Sequence, residues 1–162
     1  MSDVAAVTTI TIVHHSPTPL LREILHEVVA GVDLARGELG EDSVELRVVE
    51  ALEATADDVL AADAVILGTT ANFGYIFGAL KHFFDCTFSE LQAKTKGKPF
   101  SFYIRGGHDT TGAEKAITAI TTGLEWNLAA PSVAFVGELS DQVRGQLTEM
   151  SASLTALAAQ KS

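Results

Sequence analysis

The sequence has almost no cysteine, no linker rich in proline or serine, and no apolar run long enough to cross a membrane. Its single cysteine, Cys86, excludes an internal disulfide framework and is typical of a reducing compartment. The apolar runs fall well short of the roughly 20 residues that a membrane-spanning helix needs. The start, Met1-Ser2-Asp3, lacks the basic segment of a secretory signal. Together these absences predict a cytoplasmic protein without a membrane anchor.

Positive charge is also scarce, since 11 lysines and arginines stand against 21 acidic residues, which gives a net charge of −10. Nucleic acids and anionic membranes both attract basic surfaces, so we expect neither as a partner. The acidity names no other partner, and solubility alone would account for it. With 162 residues, 47% of them hydrophobic, the chain is long enough for one domain with its own core, spanning residues 1–162.

Hydrophobic periodicity divides the chain into alternating strands and helices. Apolar or β-branched runs predict five strands, at residues 7–13, 44–49, about 64–67, 99–104 and 132–136. Helical spacing predicts five helices: one capped by Thr18, a short one opened by a capping box at Thr55, one over about 76–92, one opened by a capping box at Thr111, and one capped by Ser140. Gly31 is expected to weaken the last turn of the first helix.

Strict alternation of strands and helices favours a parallel sheet with helices on both faces. Five strands suit the three-layer flavodoxin-like α/β fold, with strand order 2-1-3-4-5 and a ligand site beside the first and third strands. In that arrangement the loops that follow strands one, three and four share one edge of the sheet. We therefore expect those three loops to form the functional site.

Each of the three loops is unusual in composition. The first, residues 16–21, opens a helix whose free N–H groups and positive dipole end suit a phosphate. The second, residues 69–75, is predicted to be a loop of small residues around Phe73, and the third, residues 106–112, is rich in glycine, which lets a flat ligand approach the backbone. A phosphate cradle with two small-residue walls fits flavin mononucleotide (FMN), with Phe73, Tyr75 or His108 near its ring. The alternative is three solvated turns in which Thr18 and Thr111 serve only as helix caps.

The stretch from Gly68 to Asp85 resembles the hallmark of the flavodoxin-like NAD(P)H-dependent FMN reductase and quinone reductase group. That hallmark reads Gly-x-Pro-Thr-x-Phe-Gly-x-x-x-Gly, followed by Leu-Lys and Phe-x-Asp. The matching residues are Phe73, Gly74, Gly78, Leu80, Lys81 and Asp85. The His-His-Ser-Pro-Thr-Pro segment at 14–19 and the Asp-Thr-Thr-Gly-Ala segment at 109–113 are similar to those of actinobacterial flavodoxin-family proteins.

The resemblance implies an FMN-dependent oxidoreductase that takes electrons from NAD(P)H and reduces a quinone or a similar small-molecule acceptor. The residues it implies for the FMN phosphate are Ser16, Pro17, Thr18, Pro19, Leu20 and Leu21. Those implied around the ring are Thr70, Ala71, Asn72, Phe73, Gly74, Tyr75, Gly106, Gly107, His108 and Gly112, with His108 as a candidate proton donor. Two alternatives remain: a single-electron carrier of the flavodoxin type, and a relative that has lost FMN, because Pro17 and Pro19 have no N–H to offer.

The remaining features predict no metal site and a pair of subunits. His82 and Cys86 lie four residues apart on one helix, but no third ligand is evident, so packing is the better interpretation. The aromatic residues Phe83, Phe84, Phe88 and Trp126 exceed what one helix layer must bury. That excess predicts a homodimer.

Overall fold

The computed structural model describes residues 6–160 and contains seven strands and five helices within that range. The strands are β1 (Thr8–His14), β2 (Val44–Glu50), β3 (Ala64–Asn72), β4 (Tyr75–Ile76), β5 (Pro99–Gly106), β6 (Asn127–Leu128) and β7 (Val133–Val136). The helices are α1 (Pro19–Leu39), α2 (Ala56–Leu60), α3 (Gly78–Lys94), α4 (Thr111–Gly123) and α5 (Asp141–Gln160).

The long strands lie in the order β2-β1-β3-β5-β7, and neighbouring long strands are parallel. This is the predicted order 2-1-3-4-5, so the predicted α/β architecture is confirmed. The two-residue strands β4 and β6 were not predicted. The first folds back antiparallel on β3, and the second pairs with the start of β5.

Helices cover both faces of the sheet, and each face has its own hydrophobic core. Because successive side chains of a strand point to opposite faces, Ile66 and Leu67 belong to different cores. Leu67 packs with residues of α3 and α4, such as Phe83 and Ile117. Ile66 packs with residues of α1 and α5, such as Val28 and Leu147. Because the long strands are parallel, their carboxyl ends lie at one edge of the sheet.

The aromatic residues on which the homodimer prediction was based are accounted for within one chain. Phe83, Phe84 and Trp126 are buried, and Phe88 packs against the same core. The indole N–H of Trp126 donates to the hydroxyl of Thr95 at 2.7 Å. These rings therefore give no reason for a second subunit, and the homodimer stays an untested prediction.

The helix caps follow the sequence at α1 and α5 but not at α4. Thr18 caps α1 by accepting the N–H of Leu21 at 3.2 Å, and Ser140 caps α5 by accepting the N–H of Val143 at 3.2 Å. The predicted cap at Thr111 is wrong, because α4 begins at Thr111 itself. The preceding Asp109 carboxylate accepts the Thr111 N–H at 3.0 Å and so takes over the capping role.

Three further expectations are wrong. Strand β3 continues to Asn72, so residues 69–75 form a strand end and a hairpin rather than an open loop, and α3 begins at Gly78 instead of residue 76. Gly31 does not weaken a last turn, because α1 runs on to Leu39. A Cβ at Gly31 would lie 1.9 Å from the Ser151 hydroxyl, so this glycine allows α1 and α5 to cross closely. Within residues 6–160, no helix is long and apolar enough to cross a membrane.

Candidate functional site

A cleft of about 660 Å³ opens at the edge where β1, β3 and β5 end. Its size lies within the range of about 300–1,000 Å³ that small-molecule and cofactor sites occupy. Ten residues predicted for the site line this cleft: Pro17, Thr18, Leu21, Thr70, Ala71, Asn72, Phe73, Gly74, Gly107 and His108. The three sequence-distant loops therefore do meet at one edge of the sheet.

Six residues predicted for the site do not line the cleft, and four that line it were not predicted. Those outside its wall are Ser16, Pro19, Leu20, Tyr75, Gly106 and Gly112, and those missed are His15, Phe77, Arg105 and Asp109. Ser16 is buried beneath the loop. A Cβ at Gly106 would lie 2.9 Å from a methyl carbon of Thr110, so this glycine is needed for packing.

The loop between β1 and α1 forms one end of the cleft and carries unused hydrogen-bond donors. The N–H groups of Thr18 and Leu20 donate no hydrogen bond within residues 6–160. The exposed guanidinium of Arg22 donates to the carbonyl oxygen of Pro17 at 3.0 Å, which holds a positive charge beside the loop. Together with the positive end of the helix dipole, these groups favour an anion.

The other end of the cleft is a tight hairpin between β3 and β4. Asn72 pairs with Tyr75, and the two residues between them, Phe73 and Gly74, have φ of +52° and +74°. Positive φ at both central positions is the geometry of a type I′ turn, in which asparagine followed by glycine is preferred. A phenylalanine is strained there, and this one is fully exposed to solvent. The fold thus holds an unpacked aromatic ring at the rim of the cleft.

The hairpin tip rests on the first turn of α4. A Cβ at Gly112 would lie 2.0 Å from the carbonyl oxygen of Gly74, so only glycine permits this contact. Gly112 therefore acts on the cleft by supporting the hairpin, although the sequence predicted that it would touch a ligand.

One wall between the two ends is an aromatic pair that the sequence did not reveal. The rings of His15 and Phe77 stack with centroids 3.7 Å apart and an interplanar angle of 17°. Burial lowers the pKa of His15 below 6.5, and the nearby Glu50 carboxylate partly opposes that shift. The imidazole of His15 is therefore mostly neutral at pH 7.

The third loop brings charge to the cleft. Arg105, at the end of β5, lines the cleft and is held in place by donating from Nε to the carbonyl oxygen of Gly137 at 3.1 Å. Asp109 accepts hydrogen bonds from the N–H and the hydroxyl of Thr111, which lower the pKa of its carboxyl group. His108 also faces the cleft, as predicted. The cleft thus contains a fixed cation near the end of β5 and, in the loop that follows, a fixed anion and an imidazole.

Other parts of the described chain offer less. A smaller cleft of about 290 Å³ lies between β7 and α5. Within residues 6–160, no group of three histidine, cysteine, aspartate or glutamate side chains is placed to hold a metal ion. The sulfur of Cys86 lies 3.6 Å from Nε2 of His82, and both residues are exposed on α3.

Comparison with known proteins places the chain near flavodoxins. No family model matches the sequence. A flavodoxin from Aquifex aeolicus is 32% identical over 91 residues, which cover 56% of this chain and only about half, 49%, of that protein.

Solved structures are similar over nearly the whole chain. An archaeal flavodoxin has a TM-score of 0.78 at 12% identity and is matched over 93% of this chain and 99% of its own. An oxidoreductase from Corynebacterium diphtheriae has a TM-score of 0.76 at 16% identity, over 96% and 99% of the two chains. A flavodoxin, WrbA-like protein from Agrobacterium tumefaciens has a TM-score of 0.72 at 16% identity, over 97% and 100%. At such identities the similarity establishes the fold alone.

Proposed function

The protein has the flavodoxin-like α/β fold, and we propose that its cleft binds FMN and that the chain is an NAD(P)H-dependent oxidoreductase reducing a quinone or a similar small acceptor. One observation carries this proposal. The cleft combines anion-binding groups at one end with an exposed aromatic ring and small residues at the other. A mononucleotide with a flat ring needs both.

The β1–α1 loop fits a phosphate, although with fewer backbone donors than the loop length would allow. Pro17 and Pro19 contribute no N–H, which leaves the N–H groups of Thr18 and Leu20 at the helix start. The guanidinium of Arg22, held at the loop by the Pro17 carbonyl, adds the charge that these two prolines cannot. These groups support the binding of a phosphate group at this end of the cleft.

The opposite end fits a flat ring. Thr70 and Ala71 form one small-residue wall and Gly107 the other, so a planar ligand can lie close to the backbone. Phe73 packs against no other side chain in the part of the chain that the structure describes, and a ligand ring would give it a partner. The His15–Phe77 stack bounds the cleft between the ring end and the phosphate end.

When bound, FMN supplies the transfer of a hydride or of electrons between the nicotinamide and the acceptor. The chain supplies orientation and electrostatics. Arg105 provides a fixed positive charge in the cleft, which favours the build-up of negative charge on a reduced ligand. His108 is exposed to the same space and is the candidate that delivers a proton to the acceptor.

A single-electron carrier is the second candidate function. Net charge −10 suits docking to a basic partner, and the Aquifex aeolicus relative is named as a flavodoxin. The fixed charge of Arg105 inside the cleft supports the oxidoreductase instead, because a cation in the same cleft would stabilise the negative charge of a flavin that has taken up two electrons.

An absorbance scan of the protein after addition of excess FMN and desalting tests whether the protein binds FMN. Retention of a flavin spectrum supports FMN binding, and its absence favours a relative that has lost the cofactor. Anaerobic addition of NADPH or NADH to the loaded protein then separates the two functions. Rapid bleaching supports the oxidoreductase, whereas bleaching only by a reducing protein or by dithionite supports the electron carrier.

A further inference from the structure

Three polar side chains are buried directly beneath the β1–α1 loop. His14, Ser16 and Tyr103 are 6%, 5% and 3% exposed. The hydroxyl of Tyr103 is the one buried side-chain nitrogen or oxygen atom within residues 6–160 that has no hydrogen-bond partner. A buried polar group without a partner is rare, because it has given up its water and gained nothing in return. The burial of the Tyr103 hydroxyl without a partner, beneath the β1–α1 loop, therefore requires a physical explanation.

The position of Tyr103 is set by a glycine on the strand between it and the loop. His14 of β1, Gly68 of β3 and Tyr103 of β5 stand in one row across the sheet, so the two side chains point to the same face. A Cβ at Gly68 would lie 2.2 Å from the Tyr103 hydroxyl oxygen. The tyrosine ring therefore lies across Gly68 and reaches toward β1. Burial raises the pKa of the hydroxyl, which stays protonated, and the adjacent Ser16 hydroxyl partly opposes this shift.

Ser16 is the link between this buried group and the loop. Its Oγ lies 2.9 Å from Nδ1 of His14. A serine hydroxyl has one proton and two lone pairs. If the Ser16 proton lies toward His14, none is left for a ligand. If His14 carries its proton on Nδ1 and Tyr103 turns its hydroxyl toward Ser16, both lone pairs are occupied, and the Ser16 proton must point out into the loop.

We propose that Tyr103 is a positioning residue for an anion held by the β1–α1 loop. Its hydroxyl, which has no partner within residues 6–160, donates to Ser16 when an anion binds, so that Tyr103 and His14 together occupy the acceptor sites of Ser16 and the Ser16 hydroxyl donates to a phosphate group. The identity of the anion as the FMN phosphate rests on the function proposed above. The positioning itself requires only a phosphate. The arrangement selects for FMN over riboflavin, because riboflavin has the same ring and no phosphate.

The test compares the affinities of FMN and riboflavin in the whole protein and in Tyr103→Phe. Removal of the hydroxyl should weaken FMN binding about tenfold, as expected for loss of support to a hydrogen bond with a charged group, and leave riboflavin binding unchanged. The unliganded variant should unfold at the same temperature as the wild type or above it, because the missing hydroxyl had no partner. Tyr75→Phe removes the other tyrosine hydroxyl of the chain, on the hairpin, and should leave the ratio of the two affinities unchanged.

A double-variant cycle with Ser16→Ala distinguishes positioning from general support. If Tyr103 acts through Ser16, adding Tyr103→Phe to Ser16→Ala should cause no further loss of FMN affinity. Additive losses, an equal loss of FMN and riboflavin binding, or an unchanged affinity ratio in Tyr103→Phe would each overturn the proposal.

Inorganic phosphate separates this proposal from the flavin function. Phosphate should raise the unfolding temperature of the wild type more than that of Tyr103→Phe, whether or not flavin binds. If phosphate acts as expected and flavin does not bind, the proposed function fails and the positioning role stands. If flavin binds and Tyr103→Phe leaves the affinities for FMN, riboflavin and phosphate unchanged, the positioning role fails and the proposed function stands. If the wild type responds to neither phosphate nor FMN, both are overturned.

Discussion

The two ends of the cleft are built in opposite ways. The β1–α1 loop is supported from below by buried side chains, with Tyr103 and His14 under Ser16. The hairpin at Phe73 has no buried side chain at its tip, and it is held by the β3–β4 pairing and by the contact of its backbone with Gly112. The first end is fixed by buried side chains, whereas the tip of the second is fixed by contacts of its backbone. We infer that the phosphate end is preorganised, whereas the ring end can adjust to its ligand.

Gly112→Ala should produce the largest effect, at the ring end. A Cβ 2.0 Å from the Gly74 carbonyl oxygen forces the hairpin off α4, which should lower the free energy of unfolding by about 1–3 kcal/mol and weaken FMN and riboflavin equally. Gly145→Ala is the matched control, because open space surrounds Gly145 and alanine favours a helix. Urea unfolding and flavin titration measure both quantities. Normal flavin affinity in Gly112→Ala would show that the hairpin does not depend on this contact.

Thr18→Ala should act at the phosphate end and so distinguish the two ligands. Loss of the cap on Leu21 should lower the free energy of unfolding by about 1 kcal/mol. It should also weaken FMN more than riboflavin, which Gly112→Ala should not. Parallel titrations with the two flavins check this. Equal losses of affinity for FMN and riboflavin would show that the β1–α1 loop does not contact the phosphate group in particular.

Phe73→Asn should stabilise the free protein while weakening the site. Asparagine suits the first central position of a type I′ turn, so relief of strain should raise the free energy of unfolding by about 1 kcal/mol. Both flavins should bind less tightly, because the exposed ring that would pack on them is gone. Thermal unfolding with and without flavin measures the two opposite changes. A variant that is more stable and binds flavin normally would remove Phe73 from the site.

Lowering the pH should affect the phosphate end through its two histidines. Burial lowers the pKa of His14 and of His15 from 6.5, opposed in each case by Glu50, with the neighbouring His15 adding to the shift of His14. Since the unfolded chain then binds more protons than the folded one, stability is complete above pH 6.5 and falls as the pH drops below it. Unfolding temperatures between pH 8 and pH 5.5 should show this small loss, and replacing both histidines by glutamine should reduce it.

Sequence patterns were sufficient to identify the long strands and helices, because each has its own hydrophobic period. The order of the long strands came instead from the flavodoxin-like arrangement that five alternating strands suit. Sequence patterns were not sufficient for the hairpin. Phe73 occupies a turn position where asparagine or glycine is usual, so the sequence did not predict a turn there. The predicted fourth strand ended at residue 104, before Arg105, but β5 continues past this residue and carries it into the cleft. The relation between Gly68 and Tyr103 joins two strands far apart in sequence, and only their register reveals it.

Because α1 and α5 cross closely at Gly31, a disturbance at this crossing would move the distant start of α1. At a rise of about 1.5 Å per residue, Gly31 lies about 18 Å from the start of the helix at Pro19. A side chain forced into the crossing would tilt α1 about that point, and a tilt of only about 5° would swing its tip by about 1.5 Å, enough to break hydrogen bonds of ordinary length. A substitution at Gly31, remote from every proposed ligand contact, would then weaken the binding of an anion at the start of α1.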